Sequence, residues 1–130
     1  MIAADTSTWI AFLEGGEGQD AQLLDQALED RQVLMVPVVL TELLSDPKLP
    51  LGVAETLAEV PAINIEPGYW QRAGELRAKA IAKGRKARLG DALIAQTCIG
   101  RRISLLTRDR DFRAFADAAG LEVVLGIEAD

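Results

Sequence analysis

Short apolar runs alternate with longer amphipathic stretches along the whole chain, and this alternation restricts the fold more than any other feature. Ile2-Ala3-Ala4, Val33-Leu34-Met35-Val36, Ile63-Asn64-Ile65, Ile103-Ser104-Leu105-Leu106 and Leu121-Glu122-Val123-Val124-Leu125 read as strands. Between them apolar residues recur at helical spacing. Trp9, Ile10, Phe12 and Leu13 make a first helix, and Asp20 to Asp30 a second with Leu23, Leu24, Ala27 and Leu28 on its buried face. Pro37 suits the first turn of a third, Val38 to Ser45. A short helix is expected at Gly52–Glu59. Tyr69–Lys83 follows with Trp70, Ala73, Leu76, Ala80 and Ile81 inward, then a helix opening near Asp91 and a last one that Gly120 ends. Strands separated by helices pair in parallel, and the helices cover both faces of the sheet. The expectation is an α/β domain with a central, mostly parallel sheet of four to five strands flanked by helices. With no repeat, low-complexity tract or linker, residues 1–130 form a single domain.

Acids stand where the backbone changes direction. Asp5 follows the first apolar run, Asp109 and Asp111 follow the fourth, and Asp91 opens the helix before it. Glu42 sits in the third helix among Val39, Leu40, Leu43 and Leu44, where an acid is seldom wholly buried without a partner. In parallel α/β sheets ligands bind outside the carboxyl ends of the strands, where strand order reverses. Carboxylates gathered there raise one another's pKa, and a bound cation relieves the cost. Each acid also has a structural role open to it: Asp5, Asp109 or Asp111 as a helix cap, Asp91 as a partner of a helix dipole.

Composition narrows the chemistry. The sequence contains no histidine, which removes Ser-His-Asp hydrolysis, histidine acid–base work and the usual zinc sites. Carboxylates without histidine suit Mg²⁺ or Mn²⁺, hard ions with oxygen ligands that can orient and acidify a water for attack on a phosphodiester. Thr6, Ser7 and Thr107 lie close enough in sequence to support such a site by hydrogen bonds. The single cysteine, Cys98, lies in an apolar helical run and can form no intrachain disulfide, so a reducing compartment is expected. Its neighbours make it an inert core residue. No apolar run spans a bilayer and no basic segment precedes an apolar one at Met1, so no membrane association or signal peptide is expected.

The net charge of −6 conceals a division. Residues 72–113 hold twelve Lys and Arg against four acids, while the remainder holds two basic and sixteen acidic residues. One part is suited to a polyanion and the other to a basic partner. Arg85, Lys86 and Arg88 in the basic loop, with Arg108, are the candidate phosphate contacts. A solvated helix face with snorkelling stems accounts equally well for Arg77 and Lys79. Trp9, Trp70 and the phenylalanines, at helical spacing among aliphatic neighbours, read as core.

Four segments together carry a family resemblance: Asp5-Thr6-Ser7-x-Trp9-Ile10, Thr41-Glu42-Leu43-Leu44, Gly90-Asp91-Ala92-Leu93-Ile94-Ala95 and Leu106-Thr107-Arg108-Asp109-Arg110-Asp111-Phe112. In this order the chain resembles PIN-domain proteins, and among them the VapC-type ribonuclease toxins of toxin–antitoxin pairs, from end to end. The resemblance implies a PIN-like fold and a Mg²⁺- or Mn²⁺-dependent endoribonuclease with its acids at Asp5, Glu42, Asp91 and Asp109. Asp5 and Asp91 are then the firmest metal ligands, and either Asp109 or Asp111 completes the site, with Asp109 favoured as nearer the strand end. It further implies a cytoplasmic protein, an RNA substrate, a cognate antitoxin of the VapB type, a homodimer, and a heterotetramer or larger assembly with that antitoxin. A catalytically silent PIN-like module for RNA or protein binding is the alternative, and the presence of all four acids disfavours it. A response-regulator receiver is also disfavoured: Ala3-Ala4 precede Asp5, Glu66 follows the third run, and no lysine follows Lys86.

Overall fold

The computed structural model describes residues 1–126. Three parallel strands, β1 (Ile2–Ala4), β2 (Ser104–Thr107) and β3 (Val123–Leu125), form a sheet in the order β1-β2-β3. Ile2 stands opposite Ser104, and Leu105 opposite Val123. Two of the expected strands appear only as single-residue parallel bridges, Ile2 to Val33 and Met35 to Ala62. Each bridge is closed by two backbone bonds: Ile2 N to Gln32 O at 2.8 Å with Leu34 N to Ile2 O at 2.9 Å, and Met35 N to Pro61 O at 2.7 Å with Ile63 N to Met35 O at 2.9 Å. Prolines bound both segments, Pro37 and Pro61, and a residue without an N–H cannot extend a ladder. Counting the bridged segments, the sheet runs 61–63, 33–35, β1, β2, β3.

The chain thus leaves β1 toward one edge and returns to build the other. The reversal of strand order falls between β1 and β2, and their carboxyl ends open the crevice where such sheets take ligands. Asp5 ends β1, and Arg108 with Asp109 follows β2.

The helices are α1 (Thr6–Leu13), α2 (Gln19–Glu29), α3 (Pro37–Leu44), α4 (Leu51–Glu59), α5 (Tyr69–Ala82), α6 (Leu89–Arg101) and α7 (Arg113–Ala119), with a 3₁₀ turn at Arg110–Phe112 before the last. α1 packs on α2 and α3, while α5 packs on α6 and α7. α3 also touches α6, which joins the two groups over the crevice. Gly120, at φ +75°, closes α7 in a left-handed conformation that costs glycine little.

Helix faces differ from the expectation by single residues. α5 buries Tyr69, Ala73, Leu76 and Ala80, a stripe at spacings of four and three. Trp70 and Ile81 sit one residue further round, at 65% and 50% exposure, and are not core. Leu23 on α2 is likewise exposed, because Asp20, Ala21, Leu24 and Ala27 take the inner face. Trp9, Phe112, Phe115, Cys98 and Leu106 lie in the core as expected. No helix among the described residues is long and apolar enough to cross a membrane.

Candidate active site

Asp5 is 4% exposed and both of its oxygens are engaged. Oδ1 accepts from the Thr8 backbone N–H at 3.0 Å, which caps α1, and Oδ2 accepts from Thr107 Oγ1 at 2.7 Å. Ser7 Oγ lies 2.8 and 2.9 Å from the two oxygens. The capping role is therefore real, and it aims the carboxylate along the end of β1 toward β2. Burial raises the Asp5 pKa above the ordinary carboxylate value, while the bonds from Thr107, Thr8 and Ser7 oppose the rise.

Asp91 lies in the first turn of α6, half-buried. Its carboxyl is pushed up to about 6, first by burial and then by the charge of Asp109, with Asp5 and Glu42 adding and Arg88 opposing. The rise has the causes expected of a partly buried carboxyl with like charges in its surroundings. Glu42 is the most exposed of them. Thr6 Oγ1 donates to its Oε1 at 2.6 Å, and its Oε2 lies 4.0 Å from where a Cβ on Gly90 would stand, beside Asp91.

Asp109 accepts from the Asp111 backbone N–H at 2.9 Å and so caps the 3₁₀ turn, while its own N–H donates to Thr107 Oγ1 at 2.9 Å. Thr107 thus binds Asp5 and Asp109 at once, and Thr6, Ser7 and Thr107 all touch the acids they were expected to support. Asp111 turns toward Lys86, whose Nζ lies 3.6 Å from its Oδ2. Of the two acids after β2, Asp109 is the one linked to Asp5 through Thr107.

The basic residues divide. Arg88 stands at the N-cap position of α6 without a side-chain capping bond and acts on Asp91, and Arg85 pairs with Asp117 on the surface. Arg108 departs from the expectation of a phosphate contact. Its Nε and Nη2 each donate to Asp20 at 2.7 Å, and Nη2 also reaches Glu17 O at 3.3 Å. The guanidinium is spent on a wholly buried partner. In the sequence Asp20 reads only as the start of α2. A pair separated by 88 residues leaves no local pattern, and the one hint was an arginine inserted between Thr107 and Asp109.

The donor set is oxygen throughout and mutually repulsive, which fits a hard divalent cation. Among the described residues no three acidic side chains close into a ready-made cage. Mg²⁺ is ordinarily held by one or two carboxylates and keeps several waters.

A parallel sheet with acids following its strands at the switch point defines an α/β domain of acidic character there, and residues 2–118 match the family model of the PIN domain. The chain belongs to that family. It is similar to Ribonuclease VapC5 of Mycobacterium tuberculosis, with 28% identity over 129 residues, 92% of this chain and 91% of that protein. Its structure is similar to that of a toxin–antitoxin complex from Klebsiella pneumoniae, at 27% identity and a TM-score of 0.70, over 99% of this chain and 100% of that one. DNA-bound VapBC from Salmonella typhimurium shares the fold at a TM-score of 0.72 and 18% identity, over 95% of this chain and 98% of that one.

Proposed function

We propose that this chain is a metal-dependent endoribonuclease, the toxin component of a toxin–antitoxin pair. The observation that carries the proposal is the linkage of acids at the switch point of the sheet: Thr107 binds Asp5 and Asp109 together, and Glu42, held by Thr6, approaches Gly90 beside Asp91. The full-length similarity to a ribonuclease and to a toxin–antitoxin complex supports it. Asp5 and Asp91 would be the firmest holders of Mg²⁺ or Mn²⁺, with Asp109 reached directly or through the ion's waters and Glu42, the most exposed, at the solvent side. When bound, such an ion lowers the pKa of a water and neutralises charge on the phosphodiester.

The chain's own residues do the rest. Thr107 fixes the direction of Asp5 and the position of the Asp109 backbone, Ser7 holds Asp5 from the other side, and Thr6 orients Glu42. Arg85, Lys86 and Arg88, before α6, supply positive charge for the phosphates of RNA. A cognate antitoxin protein is the proposed partner, and the acidic remainder of the chain suits a basic one.

The test is cleavage of structured RNA by purified protein. Cleavage is expected with Mg²⁺ or Mn²⁺ and lost in excess EDTA, and Asp5→Ala or Asp91→Ala is expected to abolish it. Undiminished cleavage in EDTA or by either variant overturns the mechanism.

A further inference from the structure

The Arg108–Asp20 pair does more than close a surface gap. Asp20 Oδ2 accepts from Thr8 Oγ1 at 2.9 Å as well as from Arg108 Nε at 2.7 Å. The Thr8 backbone N–H binds Asp5 Oδ1, Asp5 Oδ2 binds Thr107 Oγ1, and Thr107 Oγ1 accepts from the Asp109 N–H. Arg108 lies between Thr107 and Asp109 in the chain. The bonds therefore form a closed circuit through Asp5, Thr8, Asp20, Arg108 and Thr107, with Asp109 attached.

The surroundings are shaped for this pair. Gly18 adopts φ +135°, and a Cβ there would stand 2.8 Å from Asp20 Oδ1 and 3.1 Å from Arg108 Nη2. A Cβ on Gly126, just past β3, would fall 1.9 Å from Asp20 Cβ. Two backbone segments thus approach the ion pair more closely than any side chain would permit. A two-point arginine–carboxylate contact fixes angle as well as distance, which a lysine does not reproduce.

We infer that Arg108 and Asp20 are positioning residues that set the geometry of Asp5 and Asp109 for the cation, and that Arg108 does not contact RNA. The inference rests on the nuclease reading for its purpose, but its structural part is separately measurable. Partners one step removed from metal ligands typically change metal affinity by about 10–100-fold when lost.

Two variants test it: Arg108→Lys, which keeps the charge and loses the fork, and Thr8→Val, which removes the hydroxyl and leaves the ion pair. In metal-free protein, amide exchange at residue 8 and at Asp109 is expected to accelerate about tenfold or more in each, with Leu105, bonded to Glu122 O, unchanged. Calorimetric titration with Mn²⁺ is expected to show about tenfold weaker binding, whereas RNA retention in an Asp91→Asn background stays unchanged in Arg108→Lys. Unaltered exchange at both amides with unaltered Mn²⁺ affinity overturns the inference, as does loss of RNA retention alone. If the unmodified chain takes up no Mn²⁺, the nuclease reading fails instead, and amide exchange still decides whether the circuit holds the two acids. Should Arg108→Lys fail to fold, Thr8→Val carries the same comparison.

Discussion

Asp91 is a carboxyl group that the fold holds at a cost. Its pKa stands at about 6 against an ordinary 3.8, so between those values the folded chain binds a proton that the unfolded chain has released. Stability from this group is fully present below about pH 4 and is lost as pH rises through about 6. A shift of this size is worth about 3 kcal/mol at full strength, and about 1 kcal/mol after solvent screening of a partly exposed group. Asp91→Asn is therefore expected to melt about 4 °C higher than the unmodified chain at pH 7.5 in EDTA, with the gap closing near pH 4. Thermal denaturation at the two pH values checks it, and an equal gap at both would exclude the charge as the cause. Asp5, Asp91 and Asp109 stood out because each lies at a change of backbone direction, where a carboxylate has either a cap to make or a ligand to hold, and Glu42 because it lies among the apolar residues of α3. The structure shows Asp5 and Asp109 capping as well as facing the crevice, so the two explanations were never exclusive. The pairing of Arg108 was not legible because its neighbours Thr107 and Asp109 point to the site while its own side chain turns back to α2.

At the scale of elements, two glycines that look alike in sequence have different reasons to be glycine. A Cβ on Gly126 would overlap Asp20 Cβ and come within 2.6 Å of its backbone, atoms that cannot withdraw without moving α2. Gly126→Ala is expected to cost about 1–3 kcal/mol, the range for overpacking a site that cannot relax. A Cβ on Gly100, inside α6, would instead meet only the Glu66 carboxylate, at 2.4 Å from Oε1. That side chain is flexible and bound to exposed Arg72 at 2.8 Å, and alanine gains up to about 1 kcal/mol of helix propensity over glycine. Gly100→Ala is expected to be close to neutral. Urea denaturation of both variants checks the contrast, and equal losses would show that the neighbour's freedom to move does not decide the cost. Element types were legible from periodicity, but a face was misassigned wherever a large apolar residue lay one position off the buried stripe, as Trp70 and Ile81 do on α5. The two bridged segments were expected as strands for the same reason: apolar β-type residues announce burial, while the flanking prolines that keep the ladder short act on hydrogen bonds.

Across the whole molecule, the charge division seen in the sequence survives folding only in part. Of the three basic residues of the loop before α6, Arg85 pairs with Asp117 and Lys86 faces Asp111, whereas Arg88 has only the electrostatic attraction of Asp91. A cation already facing a carboxylate releases less counterion when it meets a phosphate, so three residues do not amount to three independent contacts. Replacing Arg85, Lys86 and Arg88 together with Gln is expected to weaken RNA binding about tenfold at moderate salt. The slope of log affinity against log salt should fall by about 1 rather than the roughly 2 that three free contacts to single-stranded RNA would give. Mn²⁺ affinity should not fall, because the acids take none of their side-chain hydrogen bonds from this loop and losing Arg88 removes a like charge from beside the cation's proposed ligand Asp91. Filter binding from low to moderate salt, in an Asp91→Asn background that cannot cleave, measures the slope directly. A slope unchanged by the triple replacement would move the RNA path off this loop, and a slope lowered by 2 would mean that Asp111 and Asp117 release their partners when RNA binds.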